Sequence, residues 1–282
     1  MTPQTIIGDP NSLHVRLTND VSEIQAAQYL RYKVFYEECK AKASEETAAQ
    51  QRDTDQYDDI ADHLIVIDPQ QPENNGIVGT YRLIRQSRLK ASSIQDFYTS
   101  NEFNVEKLED TGANLLEMGR SCVLEPYRTR QVLQLLWEGI AHYVFDNDIG
   151  LMFGCASLHG TDPSSLSNEL SYLYHYHLAP PALRPTALES VYTDMNLKPS
   201  KDINIKETFQ KLPPLIKGYL RAGSIIGKGA YIDHQFNTID VCIVLPTAFI
   251  SERYIKHYER NTGKTVSAEV LNLFEKYRTT AT

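Results

Sequence analysis

Apolar and polar residues alternate along LHVRLTN (13–19), which predicts a strand, because a period of two puts every second side chain on one face. Asn19 or Asp20 is placed to cap a helix running through Cys39. On that helix Ile24, Ala27, Arg31, Val34, Phe35 and Glu38 share one face by helical spacing, so an arginine sits in an apolar stripe. The polar stretch KAKASEETAAQQRDTDQYDDIAD follows, a long loop or frayed helix carrying Asp53, Asp55, Asp58, Asp59 and Asp62. HLIVID (63–68) and GIVGTYRLIRQ (76–86) then read as strands joined through the turn-rich PQQPENN.

The same pattern continues with a short helical region around SSIQDFYTSNEF and the strand LLEMGRSCVL. A helix from about Arg130 to Phe145 puts Val132, Leu135, Leu136, Ile140, Tyr143 and Val144 on one stripe, the pattern of burial against a sheet. LMFGCAS (151–157) is the next strand. Leu158 to Gln210 is less regular, with a helix at SSLSNELSYLYHYHL and a proline-rich APPALRP behind it. PLIKGYLRAG reads as a helix, GAYIDH and TIDVCIVLP as strands, and a last helix starts near Ser251. Helices and strands interleave without repeats or an evident linker, which predicts one mixed α/β domain over residues 1–282.

Composition narrows the function classes. The 282 residues are 41% apolar and 23% charged, ordinary for a globular chain. No apolar run approaches the roughly 18 residues of a membrane span, and MTPQTIIGDPNSLHVR lacks a signal peptide's basic start, so a cytoplasmic protein is expected. A formal charge of -8 argues against nucleic-acid binding. Basic runs at Arg82, Arg85, Arg88 and Lys90, at Arg128 and Arg130, and at Lys217 and Arg221 would suit an acidic partner if they share a face. Cys39, Cys122, Cys155 and Cys242 are scattered, and His175 and His177, at a spacing of two on a helix, do not converge. His63, His159 and His234 have no companion ligand spacing, so no metal site is expected. Ser121 and Ser157 lack a nucleophile elbow, which argues against a covalent acyl-enzyme.

Within LLEMGRSCV, Glu117 and Arg120 are an odd number of residues apart and would point to opposite faces of a regular strand. Gly119 between them permits a β-bulge. One extra residue would turn both charges to the same cleft and release a backbone N–H for an oxyanion.

In order along the chain, RYKVFYEE, DTDQYDD, HLIVID, IVGTYRLIR, EFNVEKL, EMGRSCVLEPYRT, LLWEGIAHYV, LMFGCASLHG and GYLRAGSIIGKGAYIDHQFNTIDVCIVLP resemble the bacterial ornithine N-acyltransferases, from about Arg31 to Tyr258. Those enzymes make lyso-ornithine lipid, and relatives carry a haemolysin label. A thinner resemblance, through Arg31, Phe35, Asp55, Asp58, Arg82 and the Glu117/Arg120 pair, is to acyl-homoserine lactone synthases. GYLRAG and FNTIDVCIVLP follow the ornithine enzymes instead. The resemblance implies a GNAT-like acyltransferase fold, with a central twisted mixed sheet flanked by helices, splayed at a β-bulge, and with an insertion at about 158–210. It also implies a 3-hydroxyacyl carrier protein as donor.

The residues point the same way on the donor. EPYRTRQVLQ has no glycine with which to wrap the pyrophosphate of coenzyme A. The single phosphate of a phosphopantetheine arm could be met by a helix N-terminus with Arg128 or Arg130, the arm running past Cys122 and Val123. No separate cofactor is expected, since that arm arrives on the donor. The catalytic set is then Glu117, Arg120 and Asp58, with Glu117 the first candidate base for the acceptor's α-amine and Glu37, Glu38 and Asp58 behind it. Arg31, Phe35, Asp55 and Arg82 form the substrate-binding set, in which Asp55 and Asp58 could hold a second cationic amine such as ornithine's side chain. Arg31 pairs either with one of these acids or with the acceptor's carboxylate. The expected partners are acyl carrier protein, a small amino acid and, through a lipid product, the inner membrane face. A lactone synthase or other N-acyl amino acid synthase and a silent carrier-protein-binding module remain alternatives; a lytic protein would need an amphipathic or membrane-spanning segment that the sequence does not offer.

Overall fold

A computed structural model describes residues 5–274 and Tyr277. Among these residues the strands are β1 (Ile7–Gly8), β2 (His14–Thr18), β3 (Asp62–Ile67), β4 (Ile77–Arg85), β5 (Phe103–Asn104), β6 (Leu115–Val123), β7 (Leu151–His159), β8 (Thr186–Ala187), β9 (Ile225–Ile226), β10 (Tyr231–Asp233) and β11 (Thr238–Pro246). The chain forms two compact units, one of Met1–Gln95, Met118–Asn147 and Tyr258–Thr265, the other of Asp96–Glu117, Asp148–His257 and Val266–Thr282. Neither is contiguous, and the boundary falls inside β6, which is why no linker shows in the sequence.

In the first unit the strand order is β1-β2-β3-β4-β6. β2 lies antiparallel to β3 from His14↔Ile67 to Thr18↔His63, and β3 antiparallel to β4. The helix Val21–Tyr32 begins at Asp20, whose carboxylate accepts the Ser22 and Glu23 N–H groups, as the sequence predicts. It widens into a π-helical turn, Lys33–Glu38, ending at Cys39. Its Ala26, Ala27, Leu30 and Val34 pack with Ile65, Ile67, Ile77 and Cys122. The helix Arg130–Asp146, capped by the Thr129 hydroxyl, buries the predicted stripe Val132, Leu135, Leu136, Ile140, Tyr143 and Val144.

In the second unit Leu115–Glu117 of β6 run parallel to β7, and β7 pairs antiparallel with β11 along its whole length, from Leu151↔Pro246 to His159↔Thr238. β10 and β11 form a hairpin, and β9 also pairs with β11. The stretch expected as an insertion holds the helix Ser167–His177 and β8, which pairs with β5 in a separate ribbon. The helix Pro214–Ala222 stops at Gly223, where φ is 108° and a Cβ would lie 2.5 Å from the Phe249 carbonyl oxygen. Parallel and antiparallel pairings together make the sheet mixed, the class the sequence predicts.

Candidate functional site

The arginine in the apolar stripe is explained by what it meets. Arg31 is 1% exposed and donates from Nε to Asp53 Oδ2 at 2.7 Å and from both terminal nitrogens to the two Asp58 oxygens at 2.8 Å. Arg82, 2% exposed, reaches Asp55 at 2.5 Å and Asp58 at 3.2 Å, with its guanidinium 5.6 Å from the Tyr57 ring centre. Arg120 donates to Asp53 at 3.0 Å and to Asp55 at 3.2 Å. Gln28 and the Tyr36 hydroxyl donate to Asp58 and Asp53, and His63 Nε2 donates to the Asp58 carbonyl at 3.0 Å. Three guanidinium groups thus face three carboxylates inside the first unit, so formal charge balances and each acid is multiply hydrogen-bonded.

Burial alone would raise the Asp58 pKa, but the hydrogen bonds and charge of Arg31 and the charge of Arg82 hold it far below the ordinary carboxylate range. Asp53 is likewise lowered, burial being outweighed by Arg120, Arg31 and Arg82. Such an acid stays ionised and binds a proton weakly; Asp58, expected in the catalytic set, is engaged by Arg31, Arg82 and Gln28. Arg31 takes the first of its two alternatives, pairing with acids. The Asp55/Asp58 pair already holds guanidinium groups. Asp53, the acid shared by Arg31 and Arg120, is the member that the sequence did not single out; loop spacing carries no signal for which of several aspartates turns inward.

At the strand carrying Glu117, the parallel register with β7 covers Leu115 to Glu117, and the left-handed residue is Arg120, with φ of 49°. Gly119, the residue expected to permit a bulge, does not adopt that conformation, and its added Cβ would meet nothing within 4 Å. Arg120 keeps an unfavourable backbone state, costing about 1–2 kcal/mol, while its fork is anchored on Asp53 and Asp55. Glu117 is 2% exposed in the second unit. Its Oε1 accepts from the Thr99 N–H at 2.6 Å and the Thr99 hydroxyl at 2.5 Å, and its Oε2 from the Tyr98 N–H at 3.0 Å. Thr99, in the short turn Tyr98–Asn101, had no sequence signal.

Of the donor-side residues, Arg128 donates through both terminal nitrogens to Glu38, at 2.7 Å for one, and through Nε to the Val123 carbonyl at 3.0 Å. Arg130 is exposed at the first turn of its helix. Cys122 turns its thiol into the apolar cluster, where burial pushes its pKa up, so that side chain is core; half-buried Phe35 packs on the same cluster. Glu37 is exposed. A further acidic group lies in the second unit: Glu102, Asp233 and Asp240, 4%, 6% and 5% exposed, offer carboxylate oxygens all within 4.8 Å of one another, a set able to hold a cation. No described helix is long and apolar enough to cross a membrane.

Residues 30–138 match the family model for the acetyltransferase (GNAT) domain. The chain is 44% identical over 265 residues to the L-ornithine N(alpha)-acyltransferase of Brucella abortus strain 2308, covering 93% of this chain and 94% of that protein. It is 41% identical over 257 residues to the enzyme of that name from Agrobacterium fabrum strain C58, covering 90% and 87%. A solved N-acyl amino acid synthase from uncultured soil microbes is 11% identical, with a TM-score of 0.45 over 92% of this chain and 96% of that one.

Proposed function

The chain belongs to the family of L-ornithine N(alpha)-acyltransferases and is an acyltransferase of GNAT fold, and from this premise we propose that it moves a 3-hydroxy fatty acyl group from acyl carrier protein to the α-amine of L-ornithine, giving lyso-ornithine lipid. The observation that carries the reading is the identity of 44% across 93% of the chain to an enzyme with that name. The site supports it. Acyl transfer to an amine needs a proton acceptor beside the nucleophile, and Glu117 is a buried carboxylate fixed by Thr99 and Tyr98.

In this reading the acceptor's ammonium gives one proton to Glu117, directly or through water. The nitrogen lone pair attacks the thioester carbon, and a C–N bond forms while the carbonyl electrons move to oxygen. A backbone N–H would meet that oxygen. Collapse breaks the C–S bond, and nitrogen's second proton ends on the departing sulfur. Arg31, Arg82 and Arg120 with their aspartates hold the first unit rigid rather than touching the acceptor. Arg130, exposed at its helix start, would meet the donor's phosphate.

The test is mass spectrometry of lipids from cells producing the protein, and of reactions of purified protein with L-ornithine and a 3-hydroxyacyl carrier protein. Mono-N-acyl ornithine is expected. A lactone in the medium, or acylation of glycine, glutamine or lysine in preference to ornithine, would overturn the assignment.

A further inference from the structure

The acidic group of the second unit shares a surface with Glu117. Glu117 is in register with Phe153, and Phe153, Cys155 and Ser157 alternate onto one face of β7. Across the ladder Cys155 faces Cys242, Ser157 faces Asp240 and His159 faces Thr238, while Asp233 faces Thr238 from β10. Asp240, Thr238 and Asp233 therefore lie on the same face as Glu117. Side chains join the two ends: Thr99 Oγ1 is 2.5 Å from Glu117 Oε1 and 3.7 Å from Cys155 Sγ, and Cys155 Sγ is 3.0 Å from Glu102 Oε2.

Carboxylates as close as Glu102, Asp233 and Asp240 oppose one another's ionisation unless a proton or a cation lies between them. A second feature marks the place as built for a ligand. The Thr238 hydroxyl, on a residue only 6% exposed, finds no hydrogen-bond partner among the described residues, and it stands directly across from Asp233. A buried hydroxyl left so is destabilising unless a ligand meets it. Burial, and then the charges of Glu102 and Asp240, push the Cys155 thiol well up, so it remains a neutral donor to Glu102.

We propose that Glu102, Asp233 and Asp240 form the subsite for the cationic end of the acceptor's side chain, which restricts the acceptor to amino acids bearing a second amine. The proposal rests on the acyl-transfer reading, with the α-amine at Glu117. An ammonium brings three N–H donors, one for each carboxylate, whereas calcium wants roughly six to eight oxygens. The Thr238 hydroxyl adds an acceptor. This subsite takes over the task that the sequence gave to Asp55 and Asp58, whose oxygens hold Arg82, Arg31 and Arg120.

The test compares L-ornithine with L-norvaline, which has the same carbon skeleton without the second amine, and with 1,4-diaminobutane. Calorimetric titration measures binding, and acylation is followed with a 3-hydroxyacyl carrier protein. Wild-type protein should favour ornithine over norvaline in kcat/KM by roughly 100-fold or more. Asp240→Asn and Glu102→Gln should each shrink that ratio to within about tenfold, and Thr238→Val should shrink it part of the way. Absence of any wild-type preference overturns the subsite without recourse to a variant, and so does a full preference retained in folded Asp240→Asn and Glu102→Gln. Loss of ornithine binding in EDTA, restored by calcium or magnesium, also overturns it by assigning the carboxylates to a metal. The two readings fail differently. Binding of ornithine and diaminobutane but not norvaline, with nothing acylated, keeps the subsite and removes the transfer reading. Equal acylation of ornithine and norvaline does the reverse.

Discussion

Glu117 shows how far one carboxylate's role depends on its donors. In Glu117→Gln an amide NH2 must face at least one of the N–H groups of Tyr98 and Thr99, so about 1–3 kcal/mol of stability should go with the lost acceptor. Turnover should fall roughly 10²- to 10⁴-fold. Raising the pH should restore part of the rate, because more acceptor amine is already neutral, while the urea midpoint stays low; full activity would move the base elsewhere, first to exposed Glu37. For the ion-pair network the expectation is structural: Arg31→Met takes one guanidinium partner from each of two buried acids and should cost about 3–5 kcal/mol in urea melts. The sign of its pH dependence follows from two groups. Asp58 titrates in the fold below its ordinary 3.8, so its contribution is complete above that value and is lost as the pH falls past it. Buried His63 is lowered from 6.5, so the unfolded chain takes its proton first and stability declines as the pH drops below 6.5. Stability should therefore fall from about neutrality downward and more steeply below about pH 4, and Asp58→Asn should flatten the steep part. Arg31 was legible because an arginine in an apolar stripe needs buried acids; which acids it meets was not, since Asp53, Asp55 and Asp58 share a loop without a period.

Among elements, β6 separates a conformational rule from its application. A glycine inside a strand suggested a bulge at that glycine, but the left-handed residue is the next one, Arg120. Its ion pairs with Asp53 and Asp55 supply what glycine would have supplied by lacking a Cβ. Gly119→Ala should therefore change stability by no more than about 1 kcal/mol, in the stabilising direction if a strand glycine is simply costly. Gly223→Ala should destabilise by at least about 2 kcal/mol, because it has both a positive φ and a backbone carbonyl in the way. Thermal melts of the two variants check this, and a severe loss from Gly119→Ala would mean that the strand needs glycine after all. The long elements were readable for a physical reason: β3, β4 and β11 are buried on both faces and print apolar runs, while the helix Arg130–Asp146 buries one stripe and prints a period. β1, β5, β8 and β9 are two residues long and print none. The π-helical turn at Lys33–Glu38 was also invisible, since its residues continue the same stripe.

At the scale of the whole molecule, charge and chain path decide what the sequence could say about partners. Each unit is assembled from separated segments, so no compositional shift marks a boundary, and the net charge of -8 hides local basic positions. Arg128 is one such position, but its fork is occupied by Glu38. Arg130 is exposed at the start of a helix whose first-turn N–H groups add positive potential. If the donor is a carrier protein, whose surface is acidic, capture rests on charges that are screened over about 8 Å at physiological salt. Purified protein should then consume a long-chain acyl carrier protein much faster than the matching acyl-CoA, and KM for the carrier should rise with salt while KM for the acceptor holds. Arg130→Glu should raise the carrier KM roughly 3- to 10-fold at low salt and much less at high salt, leaving the melting temperature unchanged, because an exposed charge acts on encounter more than on folding. An Arg130→Glu protein with the wild-type salt response, or a wild type that takes acyl-CoA and acyl carrier protein equally, would place the donor's docking surface elsewhere or make coenzyme A the carrier.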